Sequence, residues 1–237
     1  MLNLLVIVIL SYLVGSIPNS IIIAKKIAGI NIKEHGSGNA GGTNVMRVLG
    51  KKYGLLVILL DALKGVIAVI VISRLYLGNF PFANQTPFDD FTLIQIIAGI
   101  SAVMGHIWTI FAGFKGGKGI ATGLGVLISI VTFDMLLGLA VFAIVVSLSK
   151  YISLGSIAAA VSVPIFMVVR ENIFNVDIIG YHTLLPFVIG LAFIVLYTHR
   201  ANLNRLITGK ESKISFAKKL VKKCCNYAKP FYKIPLF

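Results

Sequence analysis

The chain has 237 residues, 57% of them hydrophobic and 13% charged, with a mean hydropathy of +0.94. A soluble domain of this length does not carry so much apolar surface, so most of the chain is expected to face lipid. Its 22 lysines and arginines against 8 acids give a net charge of +14; they gather in a few loops and the C-terminal end without an aromatic-rich basic stripe, which fits anionic lipid headgroups and sets nucleic acid aside.

Residues 2–23 form the first apolar stretch, long enough to cross a hydrocarbon core of about 30 Å even with Gly15 and Pro18 inside it. No basic residue precedes Lys25, so the charged start of a cleaved signal peptide is missing and the stretch reads as a retained span. Lys25, Lys26, Lys33, Arg47, Lys51 and Lys52 follow, against the single acid Glu34, which makes this loop cytoplasmic. The second span, from residue 54 to about residue 72, contains Asp61 and Lys64 one helical turn apart. Two readings stand for that pair: a structural ion pair within the helix, or a substrate site.

Residues 74–90, with Pro81 and Pro87, read as an external loop, and 93–111 as the third span, anchored by Trp108 at the interface. After the polar turn 113–119 come two shorter apolar segments, 119–133 and 135–148, hinged at Asp134. Lys150 marks another inside turn, 154–169 is the sixth span, 170–183 an external loop with Glu171 and Asp177, and 184–197 the seventh span. Charge and alternation agree on an all-α, polytopic membrane helix bundle of about seven transmembrane helices, N-terminus outside and C-terminus cytoplasmic. The fourth and fifth segments are short for full crossings, and five or six spans is the alternative. Residues 1–210 form the membrane domain. In the basic tail 211–237, Phe216, Leu220 and Cys224 fall on one stripe between lysines, which predicts an amphipathic helix lying on an anionic leaflet. Cys224 and Cys225 are adjacent and read as two reduced thiols.

This topology puts three polar stretches on the cytoplasmic face. The first, from His35 to Arg47, packs four glycines into seven residues beside Ser37, Asn39, Thr43 and Asn44. Glycine lets backbone amides converge on an anion. Thr43 or Asn44 is expected to cap a short helix over 45–49 whose positive end faces the same anion, with Arg47 one turn along to grip a phosphate bidentately. In the second, Gly116, Gly117 and Gly119 surround Lys118. It is not a Walker loop, because Ala112 stands where the first glycine is required and Gly119 replaces the Ser/Thr. Lys115 and Lys118 fit either ligand contact or a positive-inside anchor, and Gly119, Gly123 and Gly125 also suit close helix packing. In the third, His199 and Asn202 share a helix face, with Arg200 and Arg205 close by.

The segments GSGNAGGTNVMRVLGKKYG, GHIWTIFAGFKGGKGIATGLG and LYTHRANLNRLITG resemble, in order and spacing, the three signature loops of the bacterial acyl-phosphate:glycerol-3-phosphate acyltransferase family. The resemblance covers residues 1 to about 210 and includes the DALKG piece at Asp61–Gly65. It implies an integral enzyme of the cytoplasmic (inner) membrane that moves a fatty acyl group from acyl phosphate to the 1-hydroxyl of glycerol 3-phosphate, releasing lysophosphatidic acid and phosphate. Ser37, Arg47, Lys118, His199 and Asn202 would hold glycerol 3-phosphate; Asn39, Thr43, Asn44 and the backbone of Gly116 and Gly117 would hold the acyl-phosphate headgroup, with the division of the two phosphates left open. Two departures stand out: Ala201 occupies a position that is commonly glutamate in the family, predicting reduced local rigidity, and Thr109 stands where proline is frequent.

An acyl phosphate is already activated, so no covalent intermediate is required, and the sequence offers no Ser-His-Asp arrangement and no cysteine in the motif loops. Positioning and charge neutralisation are expected to supply the acceleration, the hydroxyl proton passing to the donor's own phosphate in preference to His199 as general base. No cofactor is called for, and the scattered histidines give no metal-ligand spacing. The competing class is a transporter or channel for a phosphorylated metabolite, with Asp61 and Lys64 lining its path.

Overall fold

Every regular element among the described residues is helical. The computed structural model describes residues 2–76, 83–85, 88 and 90–213. The predicted amphipathic tail helix and both cysteines lie outside the described residues, as does most of the expected external loop 74–90.

The first apolar stretch is not one continuous helix. Helix α1 (Leu2–Ser16) stops at Ile17, and α2 (Asn19–Ala28) starts after Pro18, whose φ of −88° and ψ of 69° lie outside the helix. Proline has no N–H to donate, so the ladder is cut here. Helices α3 (Gly42–Leu49) and α4 (Lys51–Ile70) follow, then α5 (Asp90–Ile107), α6 (Ile120–Ile130), α7 (Thr132–Ser149), α8 (Ile152–Asn172), α9 (Tyr181–Thr198) and α10 (Arg200–Ile207).

Among the described residues six stretches are long and apolar enough to cross a membrane: 3–28, 51–75, 90–112 and helices α7, α8 and α9. The expected fourth span falls short. With 11 residues, α6 is about 16 Å long, roughly half the hydrocarbon thickness. The bend after it lies at Val131, with φ −125° and ψ 58°, rather than at Asp134. Asp134 sits inside the first turn of α7, buried, and takes a 2.6 Å hydrogen bond from Arg170. Arg170 in turn belongs to the last turn of α8, not to a loop. Each charge draws the other's helix end inward, because an unpaired ion at that depth would be costly.

The principal packed pairs are α1 on α5, α7 on α8, α4 on α6, α3 on α4 and α8 on α9. Small residues permit the closest of them: a Cβ on Gly125 would strike the Ala62 carbonyl of α4, and one on Gly65 the Thr122 carbonyl of α6. Ile7, Ala68, Ile94 and Ala98 form one core between α1, α4 and α5. Val126, Val163, Met167 and Val188 belong to the larger core of the other half. A third cluster, Ala24, Ile32, Val45 and Val57, seats the first polar loop and α3 against α2 and α4. The second polar loop follows α5, and α10 follows α9, so all three polar stretches meet at the bundle end where α4 and α6 begin.

Candidate active site

Gly41, not Thr43 or Asn44, occupies the N-cap position of α3, and no side chain caps it. The helix begins three residues earlier than expected, which carries Thr43 and Asn44 into its first turn. Asn44 is 1% exposed and bonds in four directions. Its Nδ2 meets the carbonyls of Ile32 (3.1 Å), His35 (2.9 Å) and Asn39 (3.1 Å), and its Oδ1 accepts from the Ser37 amide at 2.8 Å. One buried amide thus folds the glycine loop into a cup that presents Ser37, Asn39 and Thr43 outward. Arg47 lies on the far wall, half-buried; its Nη2 donates to the Ser212 carbonyl at 3.1 Å. Its Nε is buried and finds no acceptor among the described residues. Burial pulls the guanidinium below its usual range, Glu211 acts against that and Arg205 adds to it, but an arginine so placed stays charged.

The second loop departs from expectation. The amides of Gly116 and Gly117 donate to the carbonyls of Ile107 (2.9 Å) and His106 (3.1 Å), so both are already committed to the end of α5. A Cβ on either would strike α5: the His106 carbonyl from Gly116, the His106 ring from Gly117. The glycines allow the loop to lie flat on α5, and they line a small separate cavity of about 10 Å³ beside Asp61, Lys64 and His106. Gly119 holds φ at +80° as it enters α6, a left-handed conformation that turns Lys118 into the main cavity. Lys118 donates to Asn202 Oδ1.

The third stretch is tied to the second by Thr198, whose Oγ1 donates to the Lys118 carbonyl at 3.1 Å. His199 is 3% exposed and its Nδ1 stands 2.9 Å from the Val195 carbonyl. A carbonyl only accepts, so Nδ1 carries the hydrogen and Nε2 keeps its lone pair. Burial first, then the nearby Lys118, push this imidazole down to about 4, and it is neutral at pH 7. The same two effects in Lys118, burial followed by the neighbouring Arg205, bring its ammonium down to about 8. Thr109, at the position expected to favour proline, is buried and donates to the Ser16 carbonyl, bracing α1 against the end of α5.

One cavity of about 580 Å³ gathers Ser37, Asn39, Thr43, Asn44, Arg47, Lys118, His199 and Asn202 at its polar end. From there it runs between α6, α7, α8 and α9 over Leu124, Leu139, Phe142, Ala159 and Val188. Of the residues expected at the site, only Gly116 and Gly117 lie away from it. Two features were missed. Glu211, assigned by sequence to the tail, is 7% exposed and stands against Asn202 at the cavity wall; it lies nine positions further along the chain, and no local spacing signals it. His106 joins the Asp61–Lys64 pair, taking a 3.0 Å contact from Lys64 Nζ at its Nδ1. Lys64 also bonds Asp61 at 3.0 Å and the Ile17 carbonyl at 2.8 Å, and Asn19 donates to Asp61 at 2.9 Å. The break at Pro18 frees that carbonyl, and the cluster ties the α1–α2 junction to α4 and α5.

A membrane-spanning helical bundle whose polar, cation-rich end opens into an apolar cleft is built for an amphipathic phosphate, which narrows the class to proteins that bind or transfer lipid phosphates. A sequence model described as "Glycerol-3-phosphate acyltransferase" matches residues 5–209. A glycerol-3-phosphate acyltransferase of Chlorobaculum tepidum is 43% identical over 238 residues, spanning 92% of this chain and 100% of that one. The Chlorobium phaeovibrioides counterpart is 42% identical, over 92% and 99%. Crystal structures of PlsY (YgiH), an integral membrane glycerol 3-phosphate acyltransferase, superpose with a TM-score of 0.75 at 36% identity for the glycerol 3-phosphate form, covering 90% of this chain and 96% of that one. For the lysophosphatidic acid form the values are 0.70 and 35%. The chain belongs to the glycerol-3-phosphate acyltransferase family, and it is a membrane-embedded acyltransferase.

Proposed function

We propose that the enzyme transfers a fatty acyl group from acyl phosphate to the 1-hydroxyl of glycerol 3-phosphate, giving lysophosphatidic acid and inorganic phosphate. One observation carries the reading: a single cavity joins a cationic, hydroxyl- and amide-lined end to an apolar cleft between α6 and α9. That combination suits a phosphorylated headgroup and an acyl chain held together. The buried Arg47 Nε–H, without an acceptor among the described residues, is the kind of donor that a phosphate oxygen satisfies.

Ser37, Arg47, Lys118, His199 and Asn202 hold glycerol 3-phosphate; Asn39 and Thr43 face the donor headgroup. Asn44 shapes the loop rather than binding phosphate, since its amide is already occupied. Gly116 and Gly117 contribute by seating Lys118, not through their amides. His199 helps hold glycerol 3-phosphate so that the oxygen of its 1-hydroxyl is aimed at the acyl carbonyl and its proton at the donor's phosphate. As the new C–O bond forms, the bond to phosphate breaks; the phosphate leaves with the electron pair and takes the hydroxyl proton. Asn39 and Thr43 meet the charge that develops on the leaving group, while Lys118 and Arg47 neutralise the phosphate of glycerol 3-phosphate beside it. An imidazole pushed down to about 4 is a weak base, which favours this substrate-assisted route.

The charge pattern supports an N-terminus outside and motif loops on the cytoplasmic face of the inner membrane, where water-soluble glycerol 3-phosphate would enter. The test is product formation by the purified protein in detergent with glycerol 3-phosphate and palmitoyl phosphate. Lysophosphatidic acid and phosphate in equal amounts support the reading, and product only from a thioester donor overturns it.

A further inference from the structure

We propose that Glu211 is a positioning residue of the anion site: its carboxylate fixes the Asn202 amide with the oxygen toward Lys118, and offsets one of the three cations, Arg47, Lys118 and Arg205, that converge there. The inference rests on the acyl-transfer reading and deepens it.

Three donors meet this carboxylate. Ser153 Oγ, from the start of α8, reaches Oε1 at 3.0 Å, and Asn202 Nδ2 reaches the same oxygen at 2.8 Å. Arg205 Nε reaches Oε2 at 2.7 Å. A carboxylate only accepts, so Asn202 must turn its NH₂ to Glu211; its oxygen is then the atom left for the Lys118 ammonium, which only donates. Without Glu211 only the Lys118 ammonium would orient the amide, and the Asn202 NH₂ would lose its carboxylate acceptor.

Charge gives the second argument. Lys118 feels Arg205, Glu211 and Arg47, and Arg47 feels Glu211 and Arg205. Three cations with one carboxylate leave two net positive charges, the complement of a phosphate dianion. Burial by itself would raise the Glu211 carboxyl, but the hydrogen bonds from Arg205, Asn202 and Ser153 hold it below the usual carboxylate range, so it is ionised at neutral pH. The charged or titratable groups facing Lys118 are Arg47 from α3, His199 after α9, Arg205 from α10, and Glu211. Glu211 is the one among them that favours the ammonium. The residue lies just past α10, while Ala201, at the family's usual glutamate position, is exposed on that helix. The carboxylate that meets Asn202 therefore comes from Glu211.

The experiment compares wild type with Glu211→Gln and Glu211→Asp. Acyl transfer is measured against pH, and binding of glycerol 3-phosphate is read in parallel as stabilisation against heat in detergent. Glutamine keeps the volume and removes the charge; aspartate keeps the charge. For Glu211→Gln the expected result is about a tenfold loss of kcat/KM, with the alkaline limb of both profiles displaced toward neutrality by about half a pH unit. Glu211→Asp keeps the wild-type limb. Activity within about twofold of wild type, or a loss with the limb unmoved in both profiles, overturns the proposal and leaves Glu211 a structural tie. Wild-type protein that binds glycerol 3-phosphate but makes no product would overturn the acyl-phosphate reading alone, and the binding limb of the glutamine variant still decides Glu211. Wild-type protein that neither binds nor turns over overturns both.

Discussion

Raising the pH through 8 should disarm the proposed anion site, because the Lys118 ammonium is the cation there brought down to about 8. Burial, Arg205 and Arg47 together bring it down to about 8, against the opposing pull of Glu211. The pKa is lowered, so the charged form is present below pH 8 and disappears above it. One unit beyond the pKa only about one molecule in eleven keeps the charge. The kcat/KM for glycerol 3-phosphate, which reports the free enzyme, should fall about tenfold per unit above the limb. A bound phosphate dianion favours the ammonium, so the limb in kcat lies higher than that in kcat/KM. The assay is initial-rate formation of lysophosphatidic acid from acyl phosphate between about pH 6.5 and 9.5. Lys118→Arg, charged throughout that range, removes the limb at a lower ceiling, because the guanidinium fork does not reproduce the point contact with Asn202. A wild-type kcat/KM that stays flat to the end of this range would refute the assignment of Lys118 to the anion.

Arg47→Ala should cost about 2 to 4 kcal/mol of transition-state stabilisation, a loss of roughly 30- to 1000-fold in kcat/KM; activity within a few-fold of wild type would leave Arg47 as a topology charge. His199→Gln raises the KM for glycerol 3-phosphate and leaves the shape of the pH profile near neutrality unchanged. A wild-type limb near neutrality that vanishes in this variant would give His199 the base role instead. Asp61→Ala strands the buried Lys64 and should destabilise the protein by about 3 to 5 kcal/mol in thermal unfolding, while the double change with Lys64→Met is milder. A double variant less stable than the single would show that the cluster is not a charge-balanced strut.

The helical, membrane-crossing character was legible because long apolar runs allow little else, and the gathering of Arg47, Lys118, His199 and Asn202 followed from placing three motif loops at one end. What escaped the sequence was decided by tertiary partners. Pro18 was visible as an irregularity, but its consequence, a freed Ile17 carbonyl that holds Lys64, needs α4 alongside. Gly116 and Gly117 looked like anion-binding amides because glycine spacing is the same whether the N–H groups face a ligand or the carbonyls of a neighbouring helix. Asn44 looked like a cap or ligand for the same reason, since only the folded loop shows its amide filled. The bend at Val131 was misplaced to Asp134 because an isolated aspartate reads as a break until Arg170, 36 residues on, is seen to neutralise it. Glu211 lay beyond the apparent end of the motif, and its contact with Asn202 depends on how the chain turns after α10.

The central claim is the identity of the donor. The measurement that tests it most directly is acyl transfer by the purified protein in detergent, with glycerol 3-phosphate and the same fatty acid offered as acyl phosphate, acyl-CoA or acyl-carrier protein. The account predicts lysophosphatidic acid from acyl phosphate alone, with one phosphate released per product. Product from a thioester and none from acyl phosphate would contradict it.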